Sequence, residues 1–316
     1  MTMKYVDGRC GPMRRWIIGL GLGLGLVLLL AGCSMVRLGY SQAPSLAYWW
    51  LDGYVDLDGE QSARARDALD QWFVWHRRSE LPQYAALLAR GQRDVMEPAL
   101  TPEALCAWRD AVQPRLDAAL EQAVPTLAGL LSTLAPEQLR HIERKLSKDG
   151  ESLRADFMQA DRVERAQASF KRTLERYETL YGRLDEAQRV RLAQLLAASS
   201  FDAERWLAER ERRNRDLIAA LTSLAGTGRA QDASAAQAQA AVRVLIERMQ
   251  RSPRTEYRTY QERLTQESCA LAASMHNIAT AAQRRHARDK LKGWEDDVRA
   301  LAQVSAVSAA TPRRDP

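Results

Sequence analysis

Histidine is scarce in this chain: His76, His141, His276 and His286 are the four among 316 residues. No two of them stand at the spacing of a zinc-binding pair, and neither a Gly-x-Ser-x-Gly nucleophile turn nor a glycine-rich phosphate loop occurs. The usual signatures of metalloenzymes, serine hydrolases and nucleotide-binding enzymes are therefore missing, and no metal or cofactor is expected. Period-two alternation between turn dipeptides is missing as well, which leaves an all-α reading. Long apolar runs are lacking too. Residues 16–30 make an apolar stretch of fifteen, four of them glycine, short of the roughly 20 needed to span a bilayer.

The excess of positive charge shrinks once its position is considered. Net charge is +6, yet Lys4, Arg9, Arg14 and Arg15, against Asp7 alone, lie within residues 1–32. Residues 33–316 keep 42 of the 46 basic and 39 of the 40 acidic side chains, a net of +3. That balance does not describe a nucleic-acid binder. Charges of both signs instead alternate along helix faces, as in Glu209-Arg210-Glu211-Arg212-Arg213 and Arg284-Arg285-His286-Ala287-Arg288-Asp289, the pattern of a solvated face.

What is present begins with a leader. Arg14 and Arg15 precede the apolar stretch, which closes on Leu30-Ala31-Gly32-Cys33: a charged n-region, an h-region and a small-residue cleavage site. The last four residues resemble the lipobox of bacterial lipoproteins, in which a diacylglyceryl group joins the cysteine before the leader is cut ahead of it. The resemblance implies a signal peptide over residues 1–32 and fatty-acid chains such as palmitate on Cys33. Several chains anchor firmly where one holds weakly. The leader is complete from Met13, so residues 1–12, with Cys10, read as dispensable. Ser34, not aspartate, follows the cysteine, which looks like outer-membrane sorting; the expected home is the periplasmic face of that membrane.

Residues 33–58 are rich in aromatics, with Tyr40, Tyr48, Trp49, Trp50 and Tyr54 around Asp52, Asp56 and Asp58. They are short of helical periodicity, and the expectation is an extended or turn-rich segment packing back onto the domain. From Gly59 the chain reads as helix. Leu69, Trp72, Phe73 and His76 share a face, and Ser79 with Pro82 restarts a helix through Ala89. Leu105, Trp108, Val112, Leu116, Ala119, Ala123 and Leu127 make a stripe that Pro114 and Pro125 should kink or divide. Amphipathic stretches follow at 151–181 and 186–222, and Gly226, Gly228 and a run of Ala, Gln and Ser mark a linker at 225–239. Helices at 236–250 and 254–300 come next, parted near Ser252-Pro253, and residues 303–316 should be a disordered tail. The expected architecture is an elongated multi-helix bundle: a main domain over 59–224, with C-terminal helices, 240–302, packed upon it.

Four helix starts share one form: Leu100-Thr101-Pro102-Glu103, Leu134-Ala135-Pro136-Glu137-Gln138, Leu184-Asp185-Glu186-Ala187-Gln188 and Leu264-Thr265-Gln266-Glu267. A leucine precedes a small capping residue, proline or an acid fills the first turn, and two of them add glutamine at the third position, as a capping box does. Capping alone accounts for such a form. Leu-Thr-x-x-Gln motifs are also similar to those of the periplasmic Spy and CpxP proteins, which implies a helical cradle that binds envelope proteins without ATP. Ala135 departs from that motif, as does Ser268 where glutamine is due.

A second resemblance lies closer to the lipobox. Tyr40-Ser41-Gln42-Ala43-Pro44, Trp49-Trp50-Leu51-Asp52-Gly53-Tyr54-Val55-Asp56-Leu57, Gln61, and Trp75-His76-Arg77-Arg78-Ser79-Glu80-Leu81-Pro82-Gln83-Tyr84 are similar to an uncharacterised family of proteobacterial lipoproteins. The likeness runs from the lipobox to about residue 222, more loosely to residue 300, and implies localisation and fold, with no activity attached.

Two clusters could carry chemistry. His76 and Glu80 lie four apart on one helix face, fit for acid and base work or a share in a metal site, or for a structural pair beside Trp72 and Trp75. Trp49, Trp50, Asp52, Tyr54 and Asp56 could bind a sugar or peptide, or the rings could seal their segment against the helices. With Trp75, His76 and Arg77 they are the candidate partner-binding residues. Cys106 and Cys269 fall on apolar helix faces in a compartment where disulfides persist; a bond between them would stabilise by roughly 4 kcal/mol in the chain-entropy model, the alternative being two separate buried thiols. The reading is a membrane-anchored, non-enzymatic protein that captures envelope proteins on amphipathic helices, chaperone-like or stress-related. The alternatives are a scaffold for one envelope partner and a hydrolase of envelope polymers centred on His76, Glu80 and the segment of Trp49, Trp50, Asp52 and Asp56.

Overall fold

The computed structural model describes residues 34–227 and 235–310, and among them it has twelve helices and no strand. In chain order these are α1 (Ser34–Ser41), α2 (Ala43–Val55), α3 (Gly59–Ser79), α4 (Leu81–Asp94), α5 (Pro102–Leu131) and α6 (Pro136–Phe157). There follow α7 (Arg162–Tyr181), α8 (Glu186–Ala197), α9 (Ala203–Thr227), α10 (Ala235–Gln250), α11 (Thr255–Asn277) and α12 (Ala281–Ala310). The fold is an all-α multi-helix bundle. The expected signal peptide, Cys33, residues 228–234 of the expected linker and residues 311–316 of the expected tail fall outside the described residues.

The segment after Cys33 is not irregular. It forms α1 and α2, the second with Pro44 in its first turn, where a missing N–H costs nothing. Tyr48 and Val55 are buried against α3 and α6, while Leu46, Trp49 and Trp50 point outward. With apolar residues on both faces, the contrast that makes helical periodicity visible disappears.

Other boundaries move for local reasons. The stretch expected over 151–181 breaks between α6 and α7, where Asp161 caps the new helix by accepting the Val163 N–H at 2.7 Å. The stretch over 186–222 breaks between α8 and α9, and the helix expected over 254–300 breaks between α11 and α12. Pro114 and Pro125 do not divide α5; each removes a single backbone donor, and packing against α10 and α11 carries the helix through. Residues 303–310, expected in the tail, continue α12. Leu264-Thr265-Gln266-Glu267 starts no helix: it lies inside α11, where the Thr265 hydroxyl donates to the Gln261 carbonyl at 3.0 Å.

Two cores hold the bundle. One gathers Val55, Leu134, Ile142, Leu221 and Leu245 from α2, the turn before α6, α6, α9 and α10, and continues through Val124, Ala128, Leu224 and Val242. The other gathers Leu184, Leu192 and Met275 around Phe170 and Leu174, beside Val95, Tyr181 and Ala287. Each fully buried leucine or valine stabilises by roughly 1.5–3 kcal/mol. Helix α12 lies along α4 and also covers α1, α3 and α7. Cys106 of α5 and Cys269 of α11 are joined as a disulfide, with Cα atoms 5.5 Å apart.

Glutamines tie helix starts together in pairs. Gln61 of α3 takes the N–H of its own cap, Asp58, on its amide oxygen at 3.1 Å, and Gln138 of α6 takes that of Ala135 at 2.9 Å. The two amides then donate to each other, at 3.3 and 2.6 Å, and each gives its second N–H to a carbonyl just ahead of the partner helix, Thr133 or Asp56. Gln188 of α8 and Gln283 of α12 repeat the arrangement, exchanging bonds at 2.8 and 2.9 Å and donating to the Ile278 and Arg183 carbonyls. Ala135 has no acceptor, so its helix keeps only the glutamine half of a capping box.

Candidate functional site

The structure separates the residues read as one partner-binding group. Trp49 is open to solvent. Trp50 and Tyr54 line a hollow of about 360 Å³ with Trp206 and Tyr257. Asp52 accepts the Leu57 N–H at 3.1 Å, and Asp56 adopts the left-handed conformation (φ 59°) that ends α2. The Asp52 carboxylate and the Asp56 backbone thus shape the turn into α3. The rings of Trp49 and Trp50 do not seal the segment either, because the inward positions belong to Tyr48, Leu51 and Val55.

His76 stands in an aromatic cage. Its Nδ1 pairs with the Tyr40 hydroxyl at 2.7 Å, and Trp72 stacks on the ring at 4.8 Å with 18° between planes. Trp75 and Tyr84 flank it at 6.4 and 5.5 Å, and Arg77 lies over the Tyr40 ring. Burial pushes the His76 pKa below its ordinary value and that of Tyr40 up to about 12. Glu80 is buried too, with Arg115 at 3.7 Å. The histidine is thus engaged by Tyr40, while Glu80 faces Arg115 with no hydrogen bond to its buried Oε2 among the described residues.

A different cluster has the features of a binding site. A groove of about 780 Å³ runs between α7, the loop from α8 to α9, and α11. Arg165, Arg172 and Arg176 line it from one face of α7, at i, i+7 and i+11. Arg165 donates to the Gln159 carbonyl at 2.8 Å, and Arg172 donates to the Asp156 carbonyl while lying 4.4 Å over the Phe157 ring. Arg176 has no hydrogen-bond or ion-pair partner among the described residues, and none of the three pairs with a carboxylate there. Phe157, Phe201 and Trp206 form an aromatic cluster at that end, with ring centres 4.9 to 6.3 Å apart.

The loop that forms the facing wall is fixed from behind. Glu267 of α11 accepts the Ser200 N–H at 2.9 Å and the Ser199 hydroxyl at 3.2 Å, and the Tyr260 hydroxyl accepts the Asp202 N–H at 2.7 Å. Hydrogen bonds from Ser200 hold the Glu267 carboxyl below the ordinary range. Asp202 and Glu204 also border the groove, but Asp202 is occupied in capping α9 through the Arg205 N–H. Three guanidiniums, one free acid and a set of rings suit an acidic ligand that carries apolar groups. A larger hollow of about 1050 Å³ beside α5 and α11 alternates Arg109, Arg251 and Arg258 with Asp110, Asp117 and Glu262, so its charges balance internally.

The groove was missed because its arginines sit on a helix whose charges alternate, the pattern of an ordinary wet face. The spacing of 165, 172 and 176 sets them on one stripe, but Asp161 stands four residues before Arg165, so the sequence alone does not separate this stripe from a solvated face. No group of three or more His, Cys, Asp or Glu placed to hold a metal ion occurs among the described residues.

Compared with known proteins, the chain matches no curated protein and no solved structure. The sequence profile of a family of unknown function, DUF6279, matches residues 53–258, from the end of α2 to the start of α11. Most of the arginine groove lies within that span.

Proposed function

The chain belongs to the DUF6279 family of unknown function, and we propose that it is an outer-membrane lipoprotein, anchored through Cys33 and facing the periplasm, which captures envelope proteins without catalysis. The observation that carries the binding role is the arginine groove: three guanidiniums with no carboxylate partner among the described residues, beside Phe157, Phe201 and Trp206. Such a surface receives acidic segments that also present apolar side chains, through charge-assisted hydrogen bonds and ring contacts. The anchor is supported by Leu30-Ala31-Gly32-Cys33 at the end of an h-region. A non-enzymatic role agrees with the engagement of His76 by Tyr40 and of Glu80 by Arg115. The likeness to Spy and CpxP carries less, because the glutamine motifs at 134–138 and 184–188 are engaged in joining helix starts.

The test is crosslinking in the native envelope followed by pull-down, comparing the wild type with Arg172→Glu/Arg176→Glu and with Cys33→Ala. The expected result is a catch that drops at least about tenfold with the reversed charges, as loss of two charge-assisted contacts implies. Cys33→Ala should release the protein from the membrane fraction. A broad catch supports a chaperone-like role, and one dominant protein supports a scaffold. An undiminished catch from the charge-reversed groove refutes the site.

A further inference from the structure

We infer that the outer face of α1 and α2 lies on the lipid bilayer, with Trp49 and Trp50 at its headgroup boundary. Leu46, Trp49, Trp50 and Gly53 are spaced i, i+3, i+4 and i+7, a single stripe of α2. The stripe is open: Leu46 is 62 %, Trp49 74 % and Trp50 64 % exposed. Val36 and Leu38 on α1 are exposed as well. The opposite face of α2 already fills the core with Tyr48, Leu51 and Val55. A helix apolar on both faces needs a second apolar environment. Trp50 rests one edge on the Tyr54 ring, 4.7 Å away, at the rim of the hollow shared with Trp206, but no element among the described residues covers Leu46 or Trp49.

The neighbouring sequence identifies that environment. The apolar stretch 16–30 and Leu30-Ala31-Gly32-Cys33 come immediately before α1, which begins one residue after the cysteine. The helix then runs on almost unbroken: Gln42 N–H donates to the Leu38 carbonyl at 3.2 Å and Leu46 N–H to the Gln42 carbonyl at 3.0 Å. At a rise of about 1.5 Å per residue, Trp50 lies within about 25 Å of Cys33 along the chain. Residues 34–51 hold no acid and a single basic residue, Arg37, so nothing in them repels an anionic headgroup layer. Indole rings combine an apolar body with one N–H donor and favour that boundary. A protein partner would have to enter between the tether and the membrane surface, whereas the bilayer is already there. Docking adds a second attachment to the anchor and stops the body from swinging about Cys33.

This inference rests on the anchor proposed above and adds an orientation. It is tested with the full chain, lipid anchor included, in vesicles of phosphatidylethanolamine and phosphatidylglycerol that carry brominated acyl chains. Tryptophan fluorescence is compared between the wild type and Trp49→Phe/Trp50→Phe, which keeps rings at both exposed positions. Strong quenching of the wild type and loss of most of it in the double variant is the expected outcome. Equal fractional quenching of membrane-bound wild type and variant overturns docking alone. A wild-type chain found outside the membrane overturns the anchor, and docking with it. A photo-crosslinker at position 49 that joins a protein instead of lipid also overturns docking.

Discussion

His276 shows how one side chain ties distant parts of the bundle to a single protonation state. Its Nε2 faces the Glu97 carbonyl at 2.8 Å and must carry the hydrogen there, so Nδ1 accepts from the Tyr181 hydroxyl at 2.9 Å. Burial lowers the imidazole pKa from its ordinary value and raises that of Tyr181 to about 12. A proton on Nδ1 would remove the acceptor. Because the folded chain disfavours that proton, the unfolded chain binds it first. The stabilisation is therefore full above the ordinary histidine pKa of about 6.5 and is lost as pH falls below it. His76, whose pKa burial also lowers, acts in the same direction. The thermal midpoint of the wild type should hold steady from pH 8 to 7 and decline from pH 6.5 to 5. His276→Gln should be less stable at pH 7 by about 1–3 kcal/mol, since Tyr181 and Glu97 lose a shared partner, and should show a shallower acid decline. A midpoint in the wild type unchanged between pH 7 and pH 5 would contradict this account.

At the scale of helices, the paired glutamines decide where α3, α6, α8 and α12 begin. Gln138→Ala strands the Ala135 N–H, the Asp56 carbonyl and half of the Gln61 amide, and should cost about 2–3 kcal/mol, read from the urea midpoint. Gln61→Ala should add little on that background, giving a coupling energy on the order of 1 kcal/mol or more; strictly additive losses would show that the amides do not act together. Half of this device was legible. Leu134 to Gln138 and Leu184 to Gln188 announce capped starts, but their partners at Leu57 to Gln61 and Ala279 to Gln283 were not read as members of the set. The first was hidden in an aromatic segment, and the second has alanine where leucine stands elsewhere. The all-α class could be read from 3.6-residue stripes because most helices carry one apolar face. The breaks at 158–161, 198–202 and 278–280 could not, since capping by Asp161 and anchoring of the 198–202 loop by Glu267 depend on residues met only after folding. Of the candidate partner-binding residues, Trp75, His76 and Arg77 gather around the Tyr40 ring and one another. The groove arginines were indistinguishable by sequence from a solvated face.

Across the whole molecule, the Cys106–Cys269 bond closes a separation of 163 residues. In the chain-entropy model a loop of that length stabilises by about 4–5 kcal/mol. Reduction should therefore lower the urea midpoint markedly, and Cys106→Ala/Cys269→Ala should match the reduced wild type; identical midpoints with and without reductant would rule out that contribution. The bond joins α5 to α11, and α5 already has α10 along another part of its length, so the early and late halves of the chain depend on each other throughout. The packing of α12 along α4, with α1 and α3 also beneath it, carries this dependence to its limit. Synthesis releases α1, α3 and α4 long before the helix that covers them exists. Contacts of such long sequence separation are slow to form and leave apolar faces open in the interval. A chain cut between residues 94 and 281 therefore has α4 without the helix that lies along it, and presents the uncovered face of α4 to whatever is nearby.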